Sequence, residues 1–205
     1  MTKQAWNKNR SVGQKKPFTI RQVEMLKEIL GNSNKTRELA LLSFGIDSML
    51  RASDLLKIKV EEVLDITGQV RTKINIKQKK TGAAHIVMIS ATTAKAVDNL
   101  IRKDRKLEQD YLFTGYKMNG KPKISQLCRT SYADLVKDWC KLLRLDFRDY
   151  STHSIRRTMA TVVYGKTNNI EVVRQLLGQK SVGATSAYLN LDKEKALDVY
   201  SQFLT

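Results

Sequence analysis

The chain has 205 residues, 41% hydrophobic and 28% charged, which suffices for one globular unit with a real core. A formal net charge of +17 exceeds what solubility demands and points to nucleic acid as partner, because neutralised phosphates release condensed counterions. No run of about twenty apolar residues and no apolar leader segment is present, which argues against a membrane span and against export.

Residues 1–17 carry Lys3, Lys8, Arg10, Lys15 and Lys16 without an acidic residue and are expected to form a flexible basic arm. Such an arm either tracks a DNA backbone or is simply solvated. The fold is predicted to start at Phe18, where Thr19 and Gln22 spell a capping box, with a helix to about Leu30 closed by Gly31. A second helix is expected from Thr36 to Met49, and Ser53 is placed to cap a short turn through Leu56. Arg51, between the two, can cap carbonyls at the surface or serve a site. Asp54 can orient an arginine or answer a helix dipole.

Val70 to Lys77 alternates apolar and basic residues as a half-buried strand does, and His85 to Ile89 reads as its partner across a turn holding Lys79, Lys80 and Gly82. Further helices are expected from Thr92 or Thr93 to about Leu107 and from Ser125 to about Leu145, with residues 110–124 as loop between them. Trp139 is read as core rather than as a base-stacking platform. Cys128 and Cys140, with only His85 and His153 as companions, make neither a zinc site nor a disulfide framework, so a reducing cytoplasm is expected.

His153 and Arg156 stand three apart in a predicted helix capped near Ser151 or Thr152 and ending at Gly165, so imidazole and guanidinium share one face. A planar five-donor fork beside a ring nitrogen suits a phosphate. Asn168 is expected to cap the next helix, which closes at Gly178 before Gln179 and Lys180. Tyr188 follows Gln179 by nine residues, and a phenol acts as nucleophile only beside cations or a base. Lys193 to Leu204 reads as a last amphipathic helix.

The order Thr152-His153-Ser154-Ile155-Arg156-Arg157, Leu176-Leu177-Gly178-Gln179-Lys180-Ser181, then Tyr188 resembles the C-terminal signature of the tyrosine recombinases, the phage integrase family. With it, Arg51 in Leu50-Arg51-Ala52-Ser53-Asp54-Leu55 resembles the family's first arginine motif, and Lys80-Thr81-Gly82 its hairpin lysine. The resemblance implies an α+β fold, mostly helical with a small antiparallel hairpin or three-stranded sheet, occupying residues 18–205. It implies a site of Arg51, Lys80, His153, Arg156, Gln179 and the nucleophile Tyr188, with Asp54 behind it and Lys79, Arg157 and Lys180 on DNA. It further implies a 3′-phosphotyrosyl intermediate, double-stranded DNA as substrate, and neither metal nor other cofactor. A homotetramer on DNA held through the C-terminal helix is expected, although that helix can equally pack within its own chain.

Two departures from the family pattern stand out. Gln179 occupies a position where most members carry histidine and some tryptophan. Many members also have an N-terminal DNA-binding domain, so a naturally minimal recombinase and a chain that borrows an accessory DNA-binding protein are both open. The same side chains would serve a type IB topoisomerase, and a third reading is a DNA-binding regulator of the same fold whose site has decayed.

Overall fold

A computed structural model describes residues 14–77, 84–115 and 125–189. Its first helix, α1 (Ile20–Asn32), starts at the expected capping box: the Thr19 hydroxyl accepts from the Gln22 amide and the Thr19 amide donates to Gln22 Oε1 at 2.9 Å. It continues past Gly31, because the reversal is made by Asn34 in the left-handed region (φ 54°). Helix α2 (Thr36–Ser48) is the central beam, with Ala40, Leu41, Leu42, Phe44 and Ile46 buried, and it packs against α1 and against two later helices, Ala91–Lys103 and Thr152–Thr167. Met49, left-handed at φ 50°, ends it. Helix α3 (Ala52–Leu55) follows with Arg51 as its N-cap, so Ser53 lies inside the turn it was expected to cap.

After α4 (Val60–Val63) the chain forms β1 (Lys73–Lys77) and β2 (Ala84–Met88), an antiparallel pair that is the whole sheet among the described residues. The sheet is two-stranded, and Val70 pairs with Leu64 instead of extending β1. Ile74 opposes Val87 on the buried face. The outer face mixes Lys73 and Asn75 with exposed Ile86 and Met88, so it is less uniformly basic than β1 alone suggests. Helix α5 (Ala91–Lys103) starts at Ser90, whose amide and hydroxyl, with the Thr93 hydroxyl, all donate to the Asp47 carboxylate of α2 at 2.7–2.8 Å. It stops short of Leu107, with Arg105 left-handed at φ 49°.

Helix α6 (Arg129–Leu142) begins four residues later than the sequence suggests. Ser125–Leu127 pair instead with the chain at 113–115: Leu127 donates to the Phe113 carbonyl at 2.7 Å and Gly115 to the Ser125 carbonyl at 3.2 Å. Trp139 is fully buried, edge-on to Tyr132, with its indole N–H on Glu38 at 2.9 Å. A single 3₁₀ turn (Phe147–Asp149) leads to α7 (Thr152–Thr167), capped by Ser151 with Ser154 answering. Left-handed Asn168 ends α7, and Asn169 rather than Asn168 caps α8 (Ile170–Leu177) through its side-chain oxygen. Gly178, at φ 58°, closes α8 as expected. Helix α9 (Val182–Leu189), for which the sequence suggested no element, carries Tyr188.

The main core lies around α2. A second, smaller cluster of Met49, Ala160, Val173, Leu177 and Leu189 joins α7, α8 and α9, and Tyr188 packs against it. Residues 14–17, assigned to the arm by sequence, run extended against the body: the Lys16 amide donates to the Asp149 carbonyl at 2.8 Å and its ammonium pairs with the Asp149 carboxylate at 2.7 Å. Residues 1–13 and the expected helix 193–204 fall outside the described residues. No helix among the described residues is long and apolar enough to cross a membrane.

Gly45 is where α2 meets α7. A Cβ there would lie 3.0 Å from Ile155, 3.2 Å from the Tyr132 hydroxyl and 3.3 Å from Leu55. Gly45→Val therefore has no side on which to expand, and overpacking outweighs its small gain in helix propensity. It is expected to cost about 2–3 kcal/mol, read as a lower urea midpoint at unchanged slope.

Candidate active site

The site forms where α7 and α8 meet α9, with Arg51 at the start of α3 in electrostatic reach. The Ser151 cap fixes the first turn of α7, which places His153 at its exposed N-terminal rim and turns Arg156 inward one turn later. Arg156 is 4% exposed and donates to the carbonyl of Leu177 at 2.7 Å, near the C-terminus of α8. Burial lowers its pKa to about 10, against the pull of the Tyr188 phenol and the Asp54 carboxylate, and it stays charged at neutral pH.

Tyr188, half-buried, lies over both guanidinium groups of α7. Its ring centroid is 5.9 Å from Arg156 and 5.7 Å from Arg157, within cation–π range. The phenol hydroxyl points to the His153 carbonyl, to which it donates at 3.5 Å. Burial raises the phenol to about 12, and the fields of Arg156, Arg157 and Arg51 act in the opposite direction. The phenol is therefore protonated at neutral pH but surrounded by the charges that would stabilise its anion.

Arg51 approaches from the start of α3. Its guanidinium lies 3.9 Å from the Asp54 carboxylate, itself 5% exposed. His153 is held below the ordinary imidazole range, by desolvation first and then by Arg156 and Arg157. Gln179, just past Gly178, has its backbone pinned by Arg174: its amide donates to the Arg174 carbonyl at 3.0 Å and its carbonyl accepts from the Arg174 guanidinium at 2.6 Å. Its side-chain oxygen accepts from the Thr185 hydroxyl at 2.6 Å. Lys180 is exposed.

Five of the six residues expected at the site, Arg51, His153, Arg156, Gln179 and Tyr188, are thus among the described residues, and the three arginine fields 51, 156 and 157 converge on the phenol. Lys79 and Lys80 lie outside the described residues. Arg157 departs from its expected place on DNA. It is 6% exposed, and its guanidinium donates to the Lys15 carbonyl and covers the Tyr188 ring, so it braces the phenol from behind. Gln14 completes that brace, donating to the Ala187 carbonyl at 2.6 Å and the Tyr188 carbonyl at 3.2 Å.

His85 belongs to no motif, yet the charges of Arg156, Arg51 and Asp54 all reach it; desolvation chiefly lowers its pKa. The strand period held the signal, since His85 shares the inner side of β2 with Val87.

The phage integrase family model matches residues 17–195. The chain belongs to that family. It is 25% identical to a probable integrase/recombinase, YoeC, of Bacillus subtilis (strain 168), over 90% of this chain and 94% of that one. It is also 25% identical to the tyrosine recombinase XerA of Pyrococcus horikoshii, over 88% of this chain but 59% of that protein. The fold matches the crystal structure of a XerA recombinase with TM-score 0.70 at 22% identity, over 93% of this chain and 64% of that one. A XerH site-specific recombinase bound to its palindromic difH substrate gives TM-score 0.71 at 18% identity, over 97% and 56%. Apart from YoeC, the chain spans about three fifths of these relatives.

Because Arg157 braces the phenol, Arg157→Met, which keeps the stem and removes the donor, is expected to loosen α9 selectively. Hydrogen exchange should rise at the amides of 185–189 while those of α1 are unchanged, with a stability loss of about 1–2 kcal/mol.

Proposed function

We propose that the chain is a site-specific DNA recombinase that cuts and rejoins strands through a 3′-phosphotyrosyl intermediate. The observation that carries this reading is a phenol ring lying within 6 Å of two buried guanidinium groups, with a third arginine in electrostatic reach. Membership of the phage integrase family supports it.

In this reading Arg51 and Arg156 hold the non-bridging oxygens of the scissile phosphate, and Gln179 and His153 hydrogen-bond the phosphoryl group. Tyr188 Oη attacks phosphorus, its proton passing to neutral His153 or to water, and the bond to the 5′ oxygen breaks. Lys80 gives that oxygen its proton. The products are a tyrosyl-linked 3′ phosphate and a free 5′ hydroxyl. A 5′ hydroxyl from the partner duplex then attacks the phosphotyrosine and releases Tyr188, so the diester count is conserved without a nucleotide cofactor. Positioned cations answer the charge that shifts during displacement. Lys180 contacts DNA outside the scissile phosphate, and four copies assemble on the DNA through residues 193–204. The DNA substrate places this work in the cytoplasm, at the nucleoid.

The test uses a pool of nicked duplexes with a randomised core, from which denaturation-resistant protein–DNA adducts are isolated and sequenced. The chain is expected to trap a defined sequence and Tyr188→Phe none; equal adduct from both, or none from either, overturns the reading. On the recovered duplex, Gln179→His is expected to raise the cleavage rate by up to about 10²-fold, as a neutral amide gives way to a group that can carry charge.

The pH dependence follows from His153. As its pKa is held below the ordinary imidazole range, it is neutral at pH 7 and becomes protonated only as the pH falls below that range. A base is lost on protonation, so cleavage should fall on the acid side, at a pH lower than a free imidazole would set. His153→Gln should flatten that limb, as single-turnover rates from pH 5 to 9 would report.

A further inference from the structure

Gln179 can help a phosphate only if its amide presents nitrogen rather than oxygen, and a free glutamine side chain offers either edge. Here its choice is made by another residue. Thr185, fully buried in α9, places its hydroxyl 2.6 Å from Gln179 Oε1 and 3.2 Å from the Ser181 carbonyl. A separation of 2.6 Å belongs to an O–H···O bond, since N–H···O bonds cluster near 2.9–3.0 Å. The single hydroxyl proton therefore lies on the Gln179 oxygen, and the NH₂ group is left on the opposite edge of the planar amide. The Gln179 backbone is held independently by Arg174, so Thr185 governs the amide rotation alone.

We propose that Thr185 is a positioning residue: its hydroxyl fixes the Gln179 amide so that both N–H donors face the scissile phosphate. This deepens the strand-transfer reading and rests on it. Thr185 lies one turn before Tyr188 in the same helix, so the element that delivers the nucleophile also sets the donor. Docking of α9 thereby completes two parts of the site at once, and a chain whose α9 is displaced loses the oriented amide along with the phenol.

Three variants test this on the duplex recovered by adduct selection. Thr185→Val keeps the shape and removes the hydroxyl; it is expected to slow adduct formation about tenfold at saturating DNA, less than the 10²–10³-fold of a wholly lost donor. DNA affinity should be unchanged. Thr185→Ser should recover the parent rate to within about threefold, and in a Gln179→Ala background Thr185→Val should add less than about twofold. Equal slowing by Thr185→Val in both backgrounds, or no recovery with serine, overturns the inference and leaves Thr185 as packing. The free protein supplies a second readout. The side-chain NH₂ resonances of Gln179 should shift in Thr185→Val, and resonances that stay in place overturn the inference whether or not DNA is cut. If the parent forms no adduct, the strand-transfer reading is what fails.

Discussion

The site depends on one buried charge. A guanidinium removed from water is costly unless its donors are met, and Arg156 is nearly inaccessible. The C-terminal end of α8 supplies the answer: carbonyls there lack intrahelical partners and carry the negative end of the helix dipole. Leu177 takes a guanidinium N–H at 2.7 Å. Left-handed Gly178 then turns the chain so that Gln179 leaves at the same corner. The helix end therefore does two jobs, neutralising Arg156 in part and aiming the next side chain.

Placing the phenol among arginines resolves a conflict that burial creates. Burial alone favours the neutral phenol and would make it a poor nucleophile, and the raised value near 12 shows that it prevails in the free protein. The surrounding guanidinium groups matter once charge develops, because at short range in a partly desolvated pocket each is worth far more than in water. Arg157 contributes to that field from a buried position, with one of its N–H groups on the Lys15 carbonyl. The chain just ahead of α1 is thus part of the wall behind the phenol.

What could be read in the sequence was mostly local. Thr19 with Gln22, Ser151 with the start of α7, and Gly178 after α8 are short-range patterns with one physical solution each, and the structure shows all three. The misplacements have non-local causes. Ser125–Leu127 look like the start of a helix, but the chain at 113–115 pairs with their backbone and delays α6 to Arg129, with Cys128 as its cap. Asn168 and Asn169 are both good caps, and only the turn between α7 and α8 decides that the first takes the left-handed position and the second the N-cap. Arg157 read as a DNA contact because its neighbour Arg156 faces the site. Its inward course depends on Lys15 and Tyr188, more than thirty residues away in either direction.

Gln179 is the position where local pattern and chemistry diverge most. Histidine there could donate a hydrogen bond and change charge, whereas glutamine offers a donor that never titrates. The structure surrounds the amide with constraints a charged ring would need less: Arg174 on the backbone and Thr185 on the side-chain oxygen. An uncharged donor gains less from a phosphate than a cation does, so its contribution rests more heavily on alignment. Rigid placement is the physically consistent way to make a weak donor count, and the formal charge at this corner is carried by Arg51 and Arg156. With Gln179 neutral at every pH, His153 and His85 are the only imidazoles in the chain, and both are pushed toward the neutral form by desolvation first and then by Arg156, joined by Arg157 at His153 and by Arg51 at His85.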